Sequence, residues 1–99
     1  MTVKSLTPIT DAELLAKVKT DKKYSGTYHD AELLGKIAEI KLYLQDAGVT
    51  EDVVNSTLAV GCIARGVSDL VETQYGGGGL SEYFFQRADH LRGVVVENG

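Results

Sequence analysis

Apolar residues recur at steps of three and four along the second half of the chain, and this spacing constrains the fold more than any other feature. The stripe consists of Val53, Val60, Ile63, Val67, Leu70 and Val71. Such a period is typical of an α-helix with one face turned to a core. It predicts a long amphipathic helix that reaches about Tyr75. The helix either runs continuously from Asp52 or restarts at Asn55-Ser56 after one turn.

Two further helices are predicted before this one. Thr10 is followed three residues later by Glu13, as in a capping box, and therefore marks a helix start. A second helix is expected from His29 or Asp30 to about Asp46, and Gly48 supplies the left-handed residue that ends it. The buried stripe of the second helix is predicted to be Leu33, Ile37, Ile40 and Leu44.

The last helix follows a run of four glycines, Gly76 to Gly79. Ser81 is its expected N-cap, and Arg92-Gly93 its expected end. Its inner face is predicted to be Phe84, Ala88 and Leu91. The fold class is therefore all-α: a small bundle of about four helices, with a Gly-rich loop before the last helix and flexible termini. We expect one domain over residues 1–99, with an N-terminal arm (1–9) and a C-terminal tail (93–99).

The sequence carries no pattern typical of an active site. Cys62 is the only cysteine, so an internal disulfide is excluded and a buried thiol is expected. His29 and His90 have no companion at metal-ligand spacing, and the glycine run is not followed by the Gly-Lys-Ser/Thr of a phosphate loop. We therefore expect no catalytic residues, no cofactor, no metal and no enzymatic activity.

Charge is unevenly distributed along the chain. Residues 1–23 hold five lysines and three acidic residues, for a net charge of +2, whereas residues 24–99 hold five cations and eleven acids, for a net charge of −6. An acidic body disfavours tight binding to duplex DNA, which requires several neutralised phosphates. No segment has the apolar length of a membrane span or of a signal peptide, so synthesis in the cytoplasm and no membrane partner are expected.

Several residues are candidates for contacts with other subunits. Arg65 and Asp69 flank Gly66 one turn apart, and either a structural salt bridge or an intersubunit contact would explain them. Small residues at 59, 62 and 66 would let another helix or subunit approach closely. Consecutive aromatic residues at 83–85 cannot all face one core, so at least one should be exposed. The interface candidates are Arg65, Asp69, Gly76, Gly77, Gly78, Gly79, Tyr83, Phe85, Arg87, Val94, Val95 and Val96.

The valine tail begins with Val94, Val95 and Val96, and these three adjacent β-branched residues favour a strand over a helix. An unpaired apolar strand at a terminus is a template for pairing with another chain. The tail could instead fold back on its own domain, and both alternatives stay open at the level of sequence.

Several segments together resemble one family. They are Tyr28-x-Asp30, the helix 37–44, Ala47-Gly48-Val49, Val54-Asn55-Ser56, the segment 59–70 with its Arg65-Gly66-Val67-x-Asp69-Leu70 ending, and Leu80-Ser81-x-Tyr83-Phe84-x-Gln86-Arg87 after the glycine run. Over roughly residues 10–92 the chain is similar to the small head–tail connector (adaptor, or head-completion) proteins of long-tailed bacteriophages. It departs from the family pattern at Leu70-Val71, where an aromatic residue usually follows the leucine.

The resemblance implies a virion structural protein at the head–tail junction, made in the cytoplasm of the bacterial host. Such a subunit forms a cyclic homo-oligomer under the portal protein, extends the DNA channel and contacts a neck, stopper or tail-completion protein. DNA passes through the ring without sequence-specific binding. The glycine loop and the terminal segments would be the contacts with these neighbours.

Three alternatives remain at this stage. One is another phage neck, tail-completion or DNA-packaging accessory protein. A second is a small helical DNA-binding regulator, which the long third helix disfavours because Arg65 is its only cation. A third is a small enzyme or ligand-binding domain, which the lack of a convergent set of polar residues disfavours.

Overall fold

Four long helices form the body of the protein, and a one-turn helix and a 3-10 turn connect the second long helix to the third. The structure is a computed structural model that describes residues 2–73 and 79–97. The helices are α1 (Asp11–Lys22), α2 (Asp30–Asp46), α3 (Glu51–Val54), α4 (Val60–Thr73) and α5 (Glu82–Arg92); the 3-10 turn is Thr57–Ala59, and the short strands are β1 (Thr2–Val3) and β2 (Val95–Val96). The predicted all-α bundle is confirmed.

Helix α4 lies at the centre and packs against α1, α2 and α5. A Cβ atom at Gly66 would lie 2.8 Å from Ile40 Cδ1 and 2.8 Å from Phe84 Cε2, so only a glycine lets α2 and α5 approach α4 this closely. Cys62 on α4 and Ala59 in the 3-10 turn before it are also buried. The close approach expected at these small residues is therefore made by helices of the same chain.

Local signals begin and end the helices where the sequence predicts. Thr10 Oγ1 accepts a hydrogen bond from the Glu13 backbone N–H (3.1 Å), and Glu13 Oε1 accepts one from the Thr10 N–H (3.1 Å), which completes the capping box of α1. Ser81 Oγ accepts from the Phe84 N–H at the start of α5. Gly48 has a φ of +102° after α2, the left-handed conformation expected there.

The third predicted helix is interrupted, so the alternative with a restart at Asn55-Ser56 is correct. Ser56 is fully buried, and its hydroxyl donates a hydrogen bond to the Val53 carbonyl (2.7 Å). The backbone at this break is paired with the N-terminal arm, because Ile9 N–H donates to Asn55 O (2.9 Å) and Thr57 N–H donates to Thr7 O (2.8 Å). In a continuous helix, the Asn55 carbonyl and the Thr57 N–H would instead form hydrogen bonds within the helix.

The two ends of the chain pair with each other. Strands β1 and β2 are parallel, with Thr2 opposite Val95 and Val3 opposite Val96, and the Glu97 N–H donates to Val3 O (2.7 Å). Of the two alternatives for the valine tail, the structure has the one that folds back on its own domain. No helix within the described ranges has both the length and the apolar character needed to cross a membrane.

Candidate protein-interaction site

The Arg65–Asp69 pair lies at the junction of α4 and α5. Asp69 is 5% exposed, its Oδ1 accepts a hydrogen bond from Arg65 Nε (3.1 Å), and its Oδ2 accepts one from the Ser81 backbone N–H (2.9 Å). Because Ser81 is the N-cap of α5, the carboxylate ties the start of α5 to the side of α4. The salt bridge is thus formed within one chain.

Arg65 also contacts an aromatic ring. Its Cζ lies 5.8 Å from the centroid of the Tyr83 ring, within the range of a cation–π interaction. The arginine side chain is half-exposed and Tyr83 is 53% exposed. The guanidinium group is therefore held between a buried carboxylate and an exposed ring, with part of its surface open to solvent.

Three aromatic rings from α2 and α5 form one cluster, which we call the aromatic cluster: Tyr43, Phe84 and Phe85. The ring centroids are 5.6 Å apart for Tyr43–Phe84, 6.1 Å for Tyr43–Phe85 and 5.6 Å for Phe84–Phe85. Phe84 is fully buried, whereas Phe85 is 44% exposed and Tyr43 is 39% exposed. The expectation that residues 83–85 cannot all face the core is confirmed, and Phe84 is the one that does.

An open groove of about 370 Å³ lies between α2 and α5, beside this cluster. We call it the α2–α5 groove. Its lining consists of Tyr43, Ala47, Phe85 and Ala88, which are apolar or aromatic, and of the polar Glu82, Gln86, Asp89 and Arg92. Asp89 and Arg92 form an ion pair with each other. The groove thus combines exposed aromatic surface with a charged rim.

A second groove, of about 410 Å³, lies where the N-terminal arm, α3 and the C-terminal tail meet. Its lining is Lys4, Ser5, Leu6, Pro8, Asp52, Asn55 and Val96. Within the valine tail, Val94 is buried, Val96 is half-buried and Val95 is 59% exposed. Val95 therefore presents an apolar side chain at the edge of the β1–β2 pair.

Cys62 is a buried thiol under α5. Its Sγ donates a weak hydrogen bond to the Phe84 carbonyl (3.8 Å). Burial raises the pKa of Cys62 to about 11, and the positive charge of Arg87 lowers this pKa by a smaller amount. Reactivity requires the thiolate, so the thiol is inert at neutral pH. Arg87, one of the interface candidates, is half-buried, and the group that its charge affects is the buried Cys62 thiol.

The glycine candidates fall mostly outside the described residues. Gly79 has a φ of +87°, a conformation that favours glycine. Gly76, Gly77 and Gly78 lie outside the described ranges. Within residues 2–73 and 79–97, no group of three or more His, Cys, Asp or Glu side chains is arranged to hold a metal ion.

The sequence indicates Phe85 as an interface candidate, but it does not indicate that Tyr43, Ala47 and Glu82 line the same groove. The sequence places Tyr43 next to Leu44, at the edge of the apolar stripe of α2, and this position is the only indication that its ring lies near the surface. Which α5 residues lie beside it depends on how α2 and α5 each pack on α4. That is a long-range property that helical spacing does not contain.

Comparison of the chain with protein-family models, with curated proteins and with solved structures finds no match.

Proposed function

We propose that the protein is a virion structural subunit of a long-tailed bacteriophage, a head–tail connector or adaptor. In this role it forms a ring under the portal protein, extends the DNA channel and joins the capsid to the neck or tail. The proposal starts from the sequence resemblance over residues 10–92. The helical bundle is the architecture that the resemblance implies.

The observation that carries the proposal is the α2–α5 groove with its exposed aromatic rings. Exposed aromatic side chains beside a groove are typical of protein–protein contact sites, where such rings act as anchors. Phe85 and Tyr43 remain 44% and 39% exposed although both contact the buried Phe84. A partner protein would cover this surface.

Two further features support a place in a ring around DNA. The α2–α5 groove and the groove at the chain ends are different surfaces of one subunit, so the first can contact another virion protein while the second contacts a neighbouring copy. The net charge of −4 disfavours adhesion of DNA, which a channel must let pass.

Native mass spectrometry and negative-stain imaging test the proposal, applied to the protein alone and mixed with a purified phage portal. We expect the protein to bind the portal as a ring that lengthens the channel. Phe85→Ser should weaken this assembly, whereas Tyr28→Ser should not, because Tyr28 is 91% exposed and lies outside both groove linings. A protein that stays monomeric and binds neither portal nor neck complexes would refute the proposal.

A further inference from the structure

We infer that the α2–α5 groove binds an amphipathic helix of a partner protein, one whose apolar stripe is flanked by lysine or arginine. The inference rests on the proposed role as an assembly subunit and adds the chemistry of the partner. Three observations support it: the shape of the groove, the carboxylates at its rim, and the ion pairs that the lysines of α1 already form within the chain.

The shape of the groove suits a helix. Both α2 and α5 pack against α4, so the groove between them is a place where a third helix can lie on the bundle surface. Its apolar lining combines large and small side chains, the rings of Tyr43 and Phe85 and the methyl groups of Ala47 and Ala88. An apolar helix side chain could enter over the alanines while the rings contact its flanks, which is the helix-in-groove mode of recognition.

The charge of the rim favours a basic partner. Glu82 lines the groove, and Asp46 precedes the groove residue Ala47; both are exposed and neither forms an ion pair among the described residues. Arg92, the one cation in the lining, is already paired with Asp89. A helix with cations beside its apolar stripe would therefore meet carboxylates that are not yet neutralised.

A second copy of this chain is a poor source of such a helix. Helix α1 holds three lysines and three acidic residues, so it has no net positive charge, and its lysines already pair within their own subunit. Lys17 pairs with Asp21 (3.0 Å), Lys19 with Asp30 (2.8 Å), and Lys22 with Glu72 (3.6 Å). Glu82 in the groove lining and Asp46 next to Ala47 are thus better matched by a different protein.

Two synthetic helical peptides of about five turns test the inference. Both carry the same leucine stripe, and its flanks are lysine in one and glutamate in the other. We expect the full-length protein to bind the lysine peptide about tenfold more tightly at low salt, with a ratio that shrinks as salt is added. NMR shifts should map to the Tyr43 and Phe85 rings, and fluorescence anisotropy should give the affinities.

Three variants make the test specific. Phe85→Ser should weaken binding of both peptides about tenfold or more, because it removes an anchor ring. The double variant Asp46→Lys/Glu82→Lys should reverse the preference and favour the glutamate peptide; both positions are exposed, so the bundle should still fold. Tyr28→Ser is the matched control for loss of an exposed ring and should bind like the parent.

Each other outcome would overturn the inference. Equal affinity for the two peptides, no reversal in the double variant, or binding that ignores Phe85→Ser would exclude a basic helix as the occupant. Self-association that Phe85→Ser abolishes and the lysine peptide does not displace would identify a second copy instead. If the protein binds the portal but shows no preference between the two peptides, this inference fails while the connector role stands. If it prefers the lysine peptide but binds neither portal nor neck complexes, the connector role alone is refuted.

Discussion

Among the described glycines, Gly66 is the one where an added methyl group should lower the stability of the fold most. Its Cβ would lie 2.8 Å from both Ile40 Cδ1 and Phe84 Cε2, inside a core that already fills the space. We expect Gly66→Ala to lower the free energy of unfolding by about 1–3 kcal/mol through overpacking, despite the better helix propensity of alanine. Urea unfolding followed by circular dichroism measures the change.

Gly35→Ala is the matched control for this variant. Gly35 also lies inside a helix, α2, but a Cβ there would meet no atom within 4 Å. The same substitution should therefore stabilise the protein by roughly 0.5–1 kcal/mol. Equal effects at the two positions would contradict the packing at Gly66.

Asp69 should matter through hydrogen bonds to two separate elements. Asp69→Asn puts an amide N–H₂ group where an oxygen now accepts from either Arg65 Nε or the Ser81 backbone N–H. We expect a loss of about 1–3 kcal/mol, because one buried donor is left facing another donor. Asp46→Asn, at an exposed site on α2, should change stability by less than about 0.5 kcal/mol under the same urea assay.

The buried Cys62 thiol predicts a pH dependence of stability. Burial raises its pKa to about 11 in the folded protein, against 9.0 for an exposed thiol. Between these two values the unfolded chain has lost the proton that the folded chain keeps, so stability falls as pH rises from 9 to 11. Two pKa units correspond to a loss of up to about 2–3 kcal/mol.

The same pH series on Cys62→Ala isolates this effect. All other residues are the same in both proteins, so their contributions to the pH dependence largely cancel in the difference. The unfolding free energy of the parent minus that of the variant should fall steadily from pH 9 to pH 11. A gap that stays constant with pH would mean that the thiol does not keep its proton in the folded state.

Helix boundaries that are set by local signals are predictable from the sequence. The Thr10–Glu13 capping box, the Ser81 cap and the glycine at 48 all act within a few residues of their helix end. The start of α4 is not predictable in this way because it depends on the N-terminal arm, where residues 7 and 9 form hydrogen bonds with the backbone of residues 57 and 55. The spacing of apolar residues within a helix does not indicate hydrogen bonds between segments more than forty residues apart.

The α2–α5 groove was unpredictable for the same reason. Tyr43 and Phe85 are about forty positions apart, yet their ring centroids are 6.1 Å apart because α4 brings their helices together. The sequence indicated an exposed ring within residues 83–85 but not the ring from α2 that it would meet. The candidate site was thus predicted as separate residues and not as a surface.

The pairing of β1 with β2 can be tested by a disulfide. Thr2 and Val95 are opposite in the parallel register, so Thr2→Cys/Val95→Cys should oxidise within one chain. The product should run as a monomer on a non-reducing gel and should unfold with a free energy about 2–4 kcal/mol higher. Cys62 is buried and should not compete.

The single variants Thr2→Cys and Val95→Cys are the controls, and neither should gain stability on oxidation. Disulfide-linked dimers as the main product of the double variant at low protein concentration would contradict the intrachain pairing. They would instead support exchange of the valine tail between neighbouring subunits, the other alternative that the sequence left open.

The whole molecule is organised around α4, and this arrangement predicts a gradient of local stability. Helix α4 packs against three other helices, whereas β1 and β2 contribute two residues each and contact chiefly one another. Backbone amides open most slowly where many packed groups must separate together. Hydrogen exchange followed by NMR reports this opening residue by residue.

We expect amides of Ile63 and Val67 to exchange only on global unfolding, with protection near the full free energy of about 5–15 kcal/mol. The Glu97 amide, which bonds to Val3 O, should exchange at least a hundredfold faster, since opening the strand pair exposes little apolar surface (about 3 kcal/mol or more separates the two). Deleting residues 95–99 should leave the α4 rates within about threefold. Uniform protection across α4 and β2, or α4 amides that speed up sharply on this deletion, would mean that the chain ends belong to the cooperative core.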